Sequence, residues 1–499
     1  MSQARKKSVV TSIYIYIGFV FGAINTFLFS KYFQPAEFGL TRVLLDLSML
    51  LTSIACLGGP AVLGRFFPYY KGHLPFKKID ILSLAFINGI IGFILLCVGI
   101  SLFEPVIIRK FSGKSPLLID YFYLVYPFTF FMVMFQILEI HAWHMQRPVL
   151  TNLFKELIFR GLNFILIVAF MLGVMHFFTF ITLYSCIYAV MFASLIMIFI
   201  YKKELPLAMP PSRVTRRMWD KMLPYALFMV GGNVITIAAR TIDGLVISSV
   251  QGLEYAAVFA ISSYVSSVLE VPQRSVISIA VPILAQAWKD KHINKIADVY
   301  RKTSLNLLVI SSFLFTLIWL NLDDAFDFLH LDPIYREGKP LILWLGLAKI
   351  VELGTGVNSQ IIATSPRWRF ELQSNMVLLF LAVPLNYLLI KHFGLVGAGI
   401  ANLISISVFN VIRFAYLWKH YGLQPFDRSN ALAILLPLAI YFPIAYLIHV
   451  DHPLINMFIR SMLFTGIATI AVIRLHISED MNQVYHTFLD KVKRMTGRH

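Results

Sequence analysis

The chain has 499 residues, 58% of them hydrophobic and 14% charged, with 43 Lys and Arg against 26 Asp and Glu for a net charge of +17. A soluble domain carries about 25% charged and about 45–50% apolar residues, so this composition excludes an ordinary soluble enzyme, a disordered chain and a disulfide scaffold. It calls for a polytopic membrane protein, whose basic residues set orientation through its loops rather than reading nucleic acid.

In chain order, Arg5, Lys6 and Lys7 precede an apolar run from Val9 to Phe29. The run is too long for the apolar region of a signal peptide and has no small-residue cleavage pattern, so it reads as a first span. Further apolar runs fall at 43–64, 81–103, 119–140, 156–174, 177–200, 222–243, 256–285, 303–321, 339–362, 374–390, 395–418, 431–449 and 457–475. About 20 apolar residues cross a bilayer, which gives an all-α protein of about 14 transmembrane helices. With the N-terminus inside, 29 of the 43 Lys and Arg fall in cytoplasmic segments and 8 in outer loops, so both termini are expected in the cytoplasm. The longest outer loop, 321–338, is too short to bury a core of its own. Cys56, Cys97 and Cys186 are widely spaced inside apolar runs and suggest neither a disulfide framework nor a zinc site.

An internal repeat runs through the chain. Glu37 and Glu254 stand 217 residues apart at the starts of spans 2 and 8. Lys71, Lys77 and Asp80 recur 218 residues later as Lys289, Lys295 and Asp298, and Pro148 recurs as Pro366. Leu162-Asn163-Phe164 also resembles Leu385-Asn386-Tyr387. The offset covers six spans, an even number, so the copies have parallel orientation, an arrangement found in some secondary transporters. The expected organisation is a six-helix lobe (1–200), a basic linker (201–221), a second six-helix lobe (222–418) facing the first across a cleft, an extra helix pair (419–475) and a basic amphipathic tail (476–499) that would lie on the inner leaflet.

Charged groups inside apolar spans are costly and therefore mark candidate sites. Glu270 and Arg274 are four apart in span 8, with Pro272 between them favouring a kink, and are expected to share a face. Lys349 and Glu352 are three apart in span 10. Arg240 and Asp243 at the outer end of span 7, with Asp46 of span 2, would form an outer gate. Arg65 stands where span 2 leaves the membrane on the inner side. Glu156, Arg160 and Arg413 are expected to have structural or anchoring roles. His141 and His144 lack a third ligand nearby, so no metal is expected. No glycine-rich phosphate loop is present, which argues against ATP hydrolysis.

Pro35-Ala36-Glu37-Phe38-Gly39, the run Gly58-Gly59-Pro60 with Arg65-Phe66-Phe67-Pro68-Tyr69-Tyr70, and Val271-Pro272-Gln273-Arg274-Ser275 resemble polysaccharide biosynthesis membrane proteins. These are Wzx-type flippases for lipid-linked oligosaccharides, of the multidrug/oligosaccharidyl-lipid/polysaccharide exporter superfamily. Six plus six plus two spans also resembles its lipid II flippases, although span 1 here lacks the arginine of their first helix. The resemblance implies translocation of a polyprenyl-pyrophosphate-linked glycan across a bacterial inner membrane, alongside polysaccharide-assembly proteins and without a cofactor. Arg274, Lys349, Arg65 and Arg240 would then attract the pyrophosphate. Glu270, Glu352, Asp243 and Asp46 would gate the path or bind a coupling H⁺ or Na⁺. A multidrug antiporter of the same superfamily and a membrane polysaccharide polymerase or ligase are the rival readings.

Overall fold

In the computed structural model, residues 3–209, 211–478 and 480 are described, with side chains from residue 13 onward. Among them there are helices and connections but no strand. The tail expected at 476–499 lies almost wholly outside the described residues. The chain divides into two compact units, Met1–Ala260 and Ile261–His499.

The first unit contains α1 (Gln3–Tyr32), α2 (Pro35–Ala55), α3 (Gly59–His73), α4 (Ile81–Phe111), α5 (Pro116–Asp120), α6 (Val125–His144), α7 (Pro148–Asn152), α8 (Phe159–Met171), α9 (Phe177–Ser185), α10 (Ile187–Tyr201) and α11 (Arg213–Val250). Helix α12 (Leu253–Ser267) runs across the division. The second unit holds α13 (Val271–Lys289), α14 (Ile293–Leu329), α15 (Lys339–Gly354), α16 (Asn358–Thr364), α17 (Arg369–Tyr421), α18 (Arg428–Leu447) and α19 (Pro453–Arg474). Among the described residues, eleven helices are long and apolar enough to cross a membrane, or twelve spans if α15 and α16, bent by 46°, count as one. Each of the fourteen apolar segments read from the sequence coincides with helical structure.

Several segments are interrupted where hydropathy is unbroken. The helix expected over 43–64 begins at Pro35, whose missing N–H suits a first helical turn. The backbone N–H of Gln34 donates to Glu37 Oε2 at 3.0 Å and fixes that start. It then breaks at Cys56–Gly58, where Leu57 and Gly58 adopt positive φ of 43° and 73°. Unpaired carbonyls are costly in an apolar medium: that of Cys56 accepts from the Gly59 N–H at 2.8 Å, and Asn88 Nδ2 of α4 meets those of Cys56 and Leu57 at 3.3 and 3.2 Å. Gly92, one turn further along α4, is required for that approach, since a Cβ there would sit 2.0 Å from the Ala55 carbonyl oxygen. Between α7 and α8 the chain makes a π-helical turn, Leu153–Ile158, a rare form often found at functional sites. Helix α17 has 53 residues, about 80 Å if straight, against a hydrocarbon core of about 30 Å. It changes direction at Gly394 (φ 60°, ψ −141°), between the spans expected at 374–390 and 395–418.

The connection before α11 is shorter than the linker expected at 201–221, because α11 begins at Arg213. A buried node holds it to the first unit. Asp80 Oδ2 accepts from the Ser212 N–H at 2.7 Å and from Thr215 Oγ1 at 2.6 Å. Thr215 gives its proton to Asp80, so the Tyr70 hydroxyl, 2.8 Å away, donates to Thr215. Burial pushes that hydroxyl up to about 12, which keeps it a neutral donor. One core cluster of the first unit is built from Leu63, Phe67, Leu82, Val133 and Ile137, with Met222 of α11 buried among them.

The extra pair α18–α19 is fastened to α14. Ser312 Oγ donates to the Ala433 carbonyl at 2.7 Å, and Asn321 Nδ2 to Ser461 Oγ at 3.0 Å. Arg460, 8% exposed, reaches Asp324 at 2.9 Å and the Ile448 carbonyl at 2.8 Å. Asn456 Nδ2 also donates to Asp324, at 2.8 Å.

Candidate functional site

The second unit places three of the expected residues together. A 3-10 turn, Val268–Glu270, separates α12 from α13, and Pro272 stands in the first turn of α13. Glu270 is thus the residue just before a helix, where a carboxylate is favoured by the helix dipole. Its carboxylate pairs with Lys349 of α15. Lys349 Nζ also lies 2.9 Å from Glu352 Oε2, three residues further along the same helix. All three side chains are partly exposed, between 24% and 33%. The spacing had suggested Glu270 with Arg274. The structure corrects this: the 3-10 turn breaks the helical register between them, and Glu270 turns to α15 instead. Arg274 is exposed and holds no ion pair among the described residues.

Glu352 is followed by a second polar layer. Helix α15 ends at Gly354, and Gly356 takes a positive φ of 63° before α16. Ser304 Oγ donates to the Gly354 carbonyl at 2.5 Å, and Thr355 Oγ1 and Asn358 Nδ2 both donate to Asn410 Oδ1, at 2.8 and 2.9 Å. One turn further along α17, Arg413, 5% exposed, pairs with Glu371 and lies 3.8 Å over the Phe409 ring. Its Nε also donates to Ser374 Oγ at 3.2 Å. Glu371 and Glu352 are the carboxylates acting on the Arg413 charge. Arg413 is therefore well anchored, whereas Arg274 is available.

In the first unit, Asp46 of α2 faces α11. Its Oδ2 lies 2.8 Å from where a Cβ of Gly244 would stand, so the glycine admits the carboxylate beside Asp243. Asp243 is 8% exposed, and Arg42 and Asp243 are the charges acting on Asp46. Arg42 Nη2 donates to Thr26 Oγ1 at 3.2 Å, and its guanidinium lies 5.1 Å over the Phe38 ring. Arg240 is exposed on α11. Arg65 is exposed on α3, 4.4 Å over the Tyr225 ring and 5.6 Å over Phe66. The sequence reading passed over Arg42, although its i,i+4 spacing to Asp46 was a usable signal. Nothing local in the sequence announced the Glu270–Lys349 pair.

The expected structural residues behave as such in part. Glu156 sits in the π-helical turn, 3.2 Å from Arg160, and Asn25 Nδ2 of α1 donates to the Arg160 carbonyl at 2.9 Å. His141 Nε2 is 2.7 Å from the Glu204 carbonyl, and His144 stacks on Phe67.

A family model described as "Polysaccharide biosynthesis protein" matches residues 4–288, more than half of the chain. The chain belongs to the polysaccharide biosynthesis protein family. That match takes in α1–α13, including Arg65, Asp46, Asp243, Glu270 and Arg274, and stops before Lys349 and Glu352. No curated protein matches the chain by sequence. Among solved structures, this polysaccharide biosynthesis protein is similar to the lipid II flippase MurJ in an inward closed conformation, at 15% identity and a TM-score of 0.70, over 94% of this chain and 99% of that one. It is similar to an inward-facing multidrug resistance MATE family transporter of the MOP superfamily, at 13% identity and a TM-score of 0.57, over 85% and 95%. It also resembles a MOP superfamily transporter from Pyrococcus furiosus, at 15% identity and 0.53, over 84% and 96%. At these identities the likeness establishes the fold: a multi-pass, all-helical membrane protein of MurJ and MATE type.

Proposed function

We propose that this polysaccharide biosynthesis protein is a flippase that carries a polyprenyl-pyrophosphate-linked oligosaccharide across the cytoplasmic membrane of a bacterium by alternating access. The observation that carries the reading is Arg274. It is an exposed guanidinium without an ion pair among the described residues, four residues along the chain from Glu270, which pairs with Lys349, in a chain of this family and fold. A guanidinium meets phosphate oxygens bidentately. In this mechanism Arg274 takes the pyrophosphate first. Lys349 exchanges one of its carboxylates for the headgroup, which frees Glu270 or Glu352 to hold a proton or Na⁺. Arg65, kept extended over Tyr225, and Arg240 serve as further cationic contacts. Asp46 and Asp243, two carboxylates beside one arginine, act as gate or coupling residues. Enzymatic chemistry is not part of this reading, and polysaccharide-assembly proteins are its natural partners.

The test is leaflet-resolved movement of a fluorescent polyprenyl-pyrophosphate oligosaccharide in proteoliposomes. Movement by the native chain should fall about ten-fold or more in Arg274→Gln and Lys349→Gln, equivalent to about 1.4 kcal/mol. Undiminished movement in both variants, at matched protein levels, would remove the site. Collapsing the proton and Na⁺ gradients should slow the native chain, and an unchanged rate would remove coupling. The MATE likeness supports a second reading, a multidrug antiporter. That reading expects cationic drugs to move and the glycolipid to stay.

A further inference from the structure

The first two and a half turns of α11 carry a face that the transport reading does not use. At about 100° per residue, Thr215, Met222 and Ala226 share one side of the helix and are buried against the first unit. Arg213, Arg216, Arg217 and Lys221 fall on the opposite side and are all exposed. Asp220 is the single acid on that arc, and none of the four cations holds an ion pair among the described residues. Further along, the same arc is filled by Leu223, Leu227 and Phe228, exposed by 48%, 67% and 65%. Trp219, half exposed, falls on the side of Thr215 and Met222 rather than on the basic arc. One helix face therefore changes from cationic to apolar within a few residues.

That order matches the cross-section of one leaflet, phosphate headgroups and then acyl chains. The face is also held in place. Asp80, 1% exposed, grips Ser212 and Thr215, so the basic turns cannot swing away from the first unit. Successive cations at Arg213, Arg217 and Lys221 rise by about 6 Å each, a spacing that lets a phosphate meet two of them.

We propose that this face of α11 is a binding site for anionic phospholipid, with the headgroup phosphate on Arg213, Arg217 and Lys221 and the acyl chains along Leu223, Leu227 and Phe228. Phospholipid fits better than the glycolipid substrate, because the arc passes directly from cations to bare apolar side chains, with Asp220 as its single acceptor for sugar hydroxyls. The assignment is independent of the transport reading.

The test uses the purified full-length chain in nonionic detergent, titrated separately with phosphatidylglycerol, phosphatidylcholine and a polyprenyl diphosphate. Retained lipid and thermal melting are both read. Phosphatidylglycerol should be retained and raise the melting temperature, less so at high salt, while phosphatidylcholine should do neither. The R213Q/R217Q/K221Q variant should bind phosphatidylglycerol about a hundred-fold more weakly, from three basic residues near a lipid surface. R213K/R217K/K221R should keep the effect, which separates charge loss from misfolding. K289Q/K291Q/K295Q, removing three exposed lysines of the second unit, should also keep it. Equal phosphatidylglycerol binding by the glutamine variant and the native chain would overturn the proposal. So would a preference for polyprenyl diphosphate that the same three substitutions abolish while phosphatidylglycerol binding persists.

Discussion

Lys349 is held between two carboxylates from two elements, Glu270 ahead of α13 and Glu352 on its own helix. Removing the lysine leaves both acids facing each other in a partly dry site, the costly half of any ion-pair deletion. Lys349→Met should therefore lower stability by about 1–3 kcal/mol, read as a fall in melting temperature. The double change Glu270→Gln with Lys349→Met should recover part of the loss. A double variant no better than the single one would show that the pair is not coupled. Arg65 gives a milder case. Its guanidinium rests on the Tyr225 ring, so Tyr225→Phe should be tolerated and Tyr225→Leu should cost about 0.5–1 kcal/mol.

Among the elements, α4 offers a matched pair of glycines. A side chain at Gly92 would strike the Ala55 carbonyl at the end of α2, whereas a Cβ at Gly99 meets nothing within 4 Å. Gly92→Val should abolish folded protein in the membrane fraction. Gly99→Ala should melt at the same temperature or slightly higher, because alanine favours helix by about 0.8–1.0 kcal/mol over glycine. Helix α19 depends on Arg460, and Arg460→Leu should destabilise by about 3–5 kcal/mol by leaving Asp324 unpaired. Arg460→Leu with Asp324→Leu should be much less damaging. Hydropathy revealed the helical segments because the bilayer rewards an apolar run wherever it lies. It concealed the breaks at 56–58, 268–270, 355–357 and the π-helical turn, since these are set by backbone conformation and by distant donors such as Asn88 and Ser304. The same limit applied to the site. Lys349 with Glu352 and Arg42 with Asp46 are spacings within one helix. Glu270 with Lys349 crosses between helices and needed the fold.

At the scale of the whole chain, one pair of helix starts carries the offset read from the sequence: α2 starts at Pro35 and α12 at Leu253, 253 − 35 = 218 residues later. The copies have diverged at one telling place. Asp80 is buried and caps the start of α11, whereas its counterpart Asp298 forms a largely exposed pair with Lys302. Asp80→Ala should thus loosen the connection at 202–212 and raise its cleavage by a protease several-fold, while Asp298→Ala should leave its cleavage unchanged. The turn at Gly394 bears on how the chain is made. Helix α17 doubles back with almost no loop, carrying only Lys391 and His392 as polar residues near its bend. Neither arm has a hydrophilic tether long enough to wait for the other at the ribosome exit. The two arms are therefore delivered to the bilayer as one hairpin, and residues 369–394 alone, fused to a soluble reporter, should be extracted from membranes by alkali while residues 369–421 on the same reporter resist it.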